Sequence, residues 1–110
     1  MILVKRGEIW WVDFNPSIGG EIQKTRPAVI VSNDFANEAS NRVQVVPLTS
    51  KTDKCYPCEA YILVNDKQSK AMADQIMTVS KQRLKSKIGV VLDSEMQLVE
   101  RALKVQLLLY

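Results

Sequence analysis

Arg26 stands directly before Pro27. A proline ring biases the residue preceding it toward extended backbone. The arginine therefore opens the apolar run PAVIVS, residues 27–32, at the mouth of a strand and beside a loop that carries Gly19 and Gly20. A guanidinium held on a rigid strand end can grip a phosphate with two parallel N–H donors. The plainer alternative is a surface arginine at a strand mouth. Thr49 closes another run, VQVVPLT at residues 43–49, and its hydroxyl can donate to a phosphate oxygen or serve only as a β-former. Glu21 lies in the glycine loop, five residues before Arg26. It could orient the arginine through an ion pair, act as a base, or remain a solvated carboxylate.

Composition narrows the chemistry. The chain has 110 residues, 15 Lys and Arg against 12 Asp and Glu, two Cys, and no His. The missing histidine excludes Ser-His-Asp and Cys-His catalysis, a two-histidine ribonuclease mechanism and His-rich zinc sites. Proton transfer and charge stabilisation must then come from Arg, Lys, carboxylates or hydroxyls. A net charge of +3 permits a polyanionic partner without requiring one. Hydrophobic residues at 46% and charged residues at 25% describe an ordinary globular chain, expected to form one domain over residues 1–110. The apolar runs are too short to span a membrane, and the charged start MILVKRGE argues against a signal peptide. A cytoplasmic protein is expected.

These side chains need a scaffold. GEIWWVDF, residues 7–14, reads as a strand ended by the Asn15-Pro16 turn signal. Residues 27–32 read as a strand buried on both faces. Asn33 and Asp34 can cap a short helix through Ser40. Residues 43–49 form a third strand, which Pro47 places at an edge or a bulge. SKTDKCYP, residues 50–57, is an exposed loop, and further strands are predicted at 59–64, 71–80 and 88–92. In the tail, Ser94 and Gln97 suggest a capping box, and Leu98, Val99, Ala102, Leu103 and Leu107 recur at helical spacing. The fold class is mainly β with short helices: a small, strongly curved antiparallel barrel with a C-terminal amphipathic helix.

The run RGEIWWVDFNPSIGGEIQKTRPAVIVSND at residues 6–34 resembles the MazF/PemK family of toxin endoribonucleases. VQVVPLTS at residues 43–50 and MADQIMTVSKQRL at residues 72–84 extend the resemblance over nearly the whole chain. It implies an SH3-like barrel that works as a homodimer and cuts single-stranded RNA without a metal or other cofactor. It also implies 2′,3′-cyclic phosphate and 5′-hydroxyl ends, and a cognate antitoxin as partner. Carried over by position, the family's strand-start arginine falls on Arg26, its strand-end threonine on Thr49 and its loop glutamate on Glu21. Guanidinium resists deprotonation, so Arg26 is expected to stabilise charge and Glu21 to be the candidate base, though an exposed carboxylate is a weak one.

Under this resemblance Lys24, Lys51 and Lys54, on the two loops flanking Arg26 and Thr49, line a phosphate track, and Tyr56 stacks a base. Asn15 and Gln75, in matching family segments, are candidates for base edges. The basic run KQRLKSK at residues 81–87 reads more readily as a solvated turn than as an RNA reader. Met77 departs from the arginine common in relatives, leaving any contact there in doubt. Cys55 and Cys58 (C-Y-P-C) read as structural rather than redox or metal-binding, with Cys58 expected to be small and buried. Trp10 and Trp11 must face opposite ways, one of them into the core. Two other functions fit the same fold: a gyrase-binding toxin resembling CcdB, and a non-catalytic barrel that binds RNA or protein.

Overall fold

A computed structural model describes residues 3–16, 18–21 and 24–110. Ser17, Ile22 and Gln23 of the glycine loop, and the first two residues of the chain, lie outside the described residues. Among the described residues, seven strands and two α-helices follow in chain order: β1 (Glu8–Asp13), β2 (Thr25–Ile30), α1 (Asp34–Ala39), β3 (Arg42–Thr49), β4 (Glu59–Val64), β5 (Lys67–Met72), β6 (Met77–Ser80), β7 (Leu84–Val90) and α2 (Asp93–Leu107). Short 3-10 turns at Ala73–Gln75 and Lys81–Arg83 flank β6. All strand pairs are antiparallel, in the order β4-β5-β3-β2-β1-β7, with β6 also paired to β3.

The alternation of β-branched residues along the central strands explains why the sheet is buried on both faces. Ile9, Val29, Val46 and Leu48 belong to one cluster, which Met96, Val99 and Ala102 of α2 complete. Trp10, Val12, Ala28, Ile30 and Val45 point the other way into a second cluster with Phe14, Val79 and Leu84. Each fully buried Val or Ile contributes about 1.5–3 kcal/mol, so these facing rows set the register and curl the sheet into a half-barrel.

Several predicted elements move. Pro47 is buried in an interior strand, not at an edge. On one side it pairs with Ala28. On the other it falls in a gap, because β6 pairs with β3 only up to Val45 and β5 only from Leu48. The absent proline N–H thus sits where the sheet divides. The same division splits the strand predicted at 71–80 into β5, a 3-10 turn and β6. The last strand begins at Leu84, earlier than predicted, since β7 runs beside β1 from Glu8↔Val90 to Val12↔Leu84. Its exposed Lys85, Ser86 and Lys87 masked it as a loop.

Both helix starts are fixed by side chains. Asn33 Oδ1 accepts the Ala36 N–H at 2.8 Å, capping α1 as predicted. For α2 the cap lies two residues earlier than the predicted Ser94. Glu95 Oε1 accepts the Leu92 N–H at 2.9 Å. Its Oε2 accepts the N–H of Leu63 on edge strand β4 at 2.7 Å. One carboxylate therefore joins the helix start to a sheet edge.

Candidate active site

The register explains why Arg26 and Thr49 meet. Ala28 pairs with Pro47 in antiparallel sense, so two further residues bring Arg26 level with Thr49 at the open end of β2 and β3. Both line a groove of about 370 Å³ together with Trp11, Lys24, Thr25, Pro27, Leu48, Ser50 and Ser69. Arg26 and Thr49 are half-buried and rest on strands that enter the core at Ala28 and Leu48. That anchoring is what a preorganised oxyanion-stabilising site requires. Thr49 Oγ1 accepts the Lys51 N–H at 3.2 Å. Accepting this bond uses one lone pair and leaves the hydroxyl proton available to donate elsewhere.

Lys24 lines the same groove in a left-handed backbone conformation, φ 68°. A side chain there carries a steric cost and needs local support. Asn15 supplies it: its Oδ1 accepts the Lys24 N–H at 3.0 Å. The Lys24 carbonyl in turn accepts the Phe14 N–H at 2.9 Å. Asn15 therefore clamps the base of the loop in this structure. Gln75 Nε2 reaches the Gly20 carbonyl at 3.5 Å, tying the glycine loop to the 3-10 turn before β6. Glu21 is exposed, and its Oε1 accepts the Ile18 N–H at 2.8 Å within its own loop. It is not among the residues lining the groove.

The remaining candidates separate. Lys51 is exposed and adjoins the groove through its bond to Thr49. Lys54 lies farther along the loop, where its carbonyl accepts from Lys70 Nζ at 2.9 Å. Tyr56 lines a different groove, of about 390 Å³, between that loop, β4 and α2. Sequence reasoning missed Trp11, Thr25, Ser50 and Ser69. The alternation at Trp10-Trp11 was the available signal: Trp10 is buried at 9% exposure, while Trp11 is 40% exposed and faces the groove.

The basic run at residues 81–87 is largely internal stapling. Lys81 Nζ donates to the Asn37 carbonyl, at the C-terminal part of α1. Arg83 Nη1 donates to the Asp13 carbonyl at 3.0 Å and to that of Asn15. Lys87 pairs with Glu8 at 2.9 Å. Glu8 is buried; desolvation pushes its carboxyl up, but hydrogen bonds from the Lys5 N–H, Lys87 and Trp10 outweigh that and hold it below the usual range.

Lys70 was also unforeseen. Burial pulls its ammonium down, but the hydrogen-bonded Glu59 carboxylate at 3.1 Å overrides this and raises its pKa. Both cysteines are free thiols; Cys55 is exposed and Cys58 half-buried rather than fully buried. Burial, then Asp74 and Glu59, push the Cys58 thiol up. Among the described residues no three His, Cys, Asp or Glu side chains are grouped to hold a metal ion.

A family model described as PemK-like, MazF-like toxin of type II toxin-antitoxin system matches residues 5–107. The chain belongs to that family. It is 39% identical over 114 residues to Endoribonuclease MazF9 of Mycobacterium tuberculosis, with 96% of this chain and 97% of that protein aligned. A solved endoribonuclease in complex with its cognate antitoxin, from a Mycobacterial species, matches with a TM-score of 0.82 at 27% identity over 97% of each chain. A MazF crystal structure from Deinococcus radiodurans has a TM-score of 0.86, covering 97% of this chain and 98% of that one. At 22% identity the last likeness concerns the fold.

Proposed function

We propose how this MazF-like endoribonuclease toxin works: it cleaves single-stranded RNA by internal transesterification, with Arg26 and Thr49 at the scissile phosphate. The observation that carries the reading is the convergence of those two side chains, from the ends of adjacent strands, on one groove. In the reaction the substrate's 2′-hydroxyl loses its proton and attacks the adjacent phosphorus. The bond from phosphorus to the 5′-oxygen breaks, and that oxygen takes up a proton. The products are a 2′,3′-cyclic phosphate and a 5′-hydroxyl. No water or metal ion is consumed or required by this balance.

Arg26 meets the negative charge that grows on the non-bridging oxygens, in a partly dry groove where fixed charge acts strongly. Its planar fork suits two oxygens at once. Thr49 donates one further hydrogen bond. Glu21 is the proposed base although it does not line the groove; it is carried on the loop that Asn15 and Gln75 tether. Lys24 and Lys51 extend positive charge along the strand of RNA, with Lys54 beyond them. Asn15 supports Lys24, and Gln75 supports the glycine loop; both remain the proposed contacts to base edges. Tyr56 stacks a base only if the RNA passes over the second groove.

A second copy of the chain and a cognate antitoxin complete the proposed working unit. The neighbour solved with its antitoxin supports the latter, and no described helix is long and apolar enough to cross a membrane. The cytoplasm is the proposed location. The test is cleavage of a long mixed-sequence RNA in EDTA by the wild type and by Arg26→Gln, with both new ends identified chemically. Gyrase inhibition without cleavage would replace this reading with the gyrase-binding one.

A further inference from the structure

Lys70 is a buried cation for which the proposed reaction has no use. It retains 7% exposure on β5. Its backbone lies opposite Thr49 on one side and Tyr61 on the other. Its Nζ donates to the Lys54 carbonyl at 2.9 Å and lies 3.1 Å from Glu59 Oε1. The same Glu59 oxygen accepts the Tyr56 N–H at 2.9 Å. Two further contacts reach this loop. The Tyr61 hydroxyl donates to the Thr52 carbonyl at 2.8 Å, and Thr49 Oγ1 accepts the Lys51 N–H at 3.2 Å. Residues 51, 52, 54 and 56 are thus each fastened to β3, β4 or β5.

A buried ion pair is a poor device for stability alone, because desolvating two charges offsets much of their attraction. Apolar side chains of similar volume would pack this position as well. What they lack is direction. Apart from the bond to each other, the hydrogen bonds of Lys70 and Glu59 described above end on the loop backbone, at residues 54 and 56.

Resting on the RNA-cleaving reading, we propose that the Lys70–Glu59 pair positions the loop after Thr49 for substrate binding. It holds Lys51 and Lys54 in the arrangement that meets the phosphates of RNA already gripped by Arg26. Lys70 and Glu59 are positioning residues: they act on affinity for RNA and leave the chemical step alone.

The double variant Lys70→Met with Glu59→Leu tests this, since it leaves no unpaired charge buried even if Lys70→Met alone fails to fold. The expected result is a KM for single-stranded RNA raised about tenfold, comparable to removing one charge-assisted hydrogen bond. The expected kcat stays within about twofold, because Arg26 and Thr49 are untouched. The slope of log KM against log salt becomes shallower by roughly 0.7 for each phosphate that the loop lysines no longer neutralise. Amide exchange at Lys51 and Tyr56 accelerates, and Lys70→Arg, which keeps the charge, restores most of the affinity. An unchanged KM and salt slope would overturn the proposal, as would a fall in kcat alone. So would unchanged exchange at both amides. Were the wild type to cut no RNA, the functional reading would fall by itself. The exchange measurement would still decide whether the pair holds the loop.

Discussion

Replacing Thr49 with valine removes one oxygen and little else. Valine is isosteric and β-branched, so the end of β3 keeps its backbone preference. The Lys51 N–H loses its acceptor, but Lys51 is exposed and water can take the vacated place. The loop also loses its fastening at Lys51, which affects KM; the loss felt in kcat is the hydrogen bond to a non-bridging phosphate oxygen. Bonds to charged groups contribute about 1.5–3 kcal/mol. At about 1.4 kcal/mol per factor of ten, that is a fall of roughly 10- to 150-fold in kcat/KM. Because the negative charge grows toward the transition state, most of the fall should lie in kcat. Single-turnover cleavage of a fluorescent single-stranded RNA measures it directly, with Thr49→Ser as the partner variant. Serine keeps the hydroxyl and should stay within about threefold of the wild type, the cost of a looser rotamer. A valine variant within twofold of the wild type would refute the reasoning. So would a serine variant as slow as the valine one, which would make shape rather than the hydroxyl the important property.

Three other perturbations follow from the same structure. Glu21→Gln should lower kcat by about a hundredfold, the small end of general-base effects; a kcat within about twofold of the wild type in single-turnover cleavage would remove Glu21 from the mechanism. Glu8 is held below its ordinary value of 4.5, so its contribution to stability is present above that pH and is lost as pH falls through the folded value. Thermal melts of Glu8→Gln should therefore converge with those of the wild type as the buffer is taken from pH 7 toward pH 3, and a constant gap would contradict the linkage. Iodoacetamide should label the exposed Cys55 before Cys58, whose thiol burial and then Asp74 and Glu59 push up; peptide mass spectrometry would expose the reverse order.

Much of the site was legible because it depends on local rules. The Arg26-Pro27 step and the apolar run behind it announce a strand whose first side chain is charged, and Thr49 is marked by the end of a similar run. Asn33 and the helical spacing of the tail gave both helices. What escaped notice depends on pairing between distant residues. Lys70 and Glu59 are separated in sequence by a strand and a turn, and a lysine in a polar stretch carries no sign that it will be buried. The break between β5 and β6 was hidden because Pro47, which explains it, lies on a different strand. Lys81, Arg83 and Lys87 looked like a solvated patch for the same reason: their acceptors, the Asn37 and Asp13 carbonyls and Glu8, come from far earlier in the chain. Tyr56 shares a loop with Lys51 but lines the groove beside α2, a helix that comes much later in the chain.

The central claim is that an arginine and a threonine at facing strand ends cut RNA through its own 2′-hydroxyl. Mapping both ends of each cut made in a long mixed-sequence RNA, in EDTA, with wild type and Arg26→Gln side by side, tests it most directly. The account predicts 2′,3′-cyclic phosphate and 5′-hydroxyl ends from the wild type, and loss of cleavage by at least about a hundredfold in the variant, as for removal of a main oxyanion stabiliser. Ends bearing a 5′-phosphate, or an Arg26→Gln variant that cuts at the wild-type rate, would contradict it.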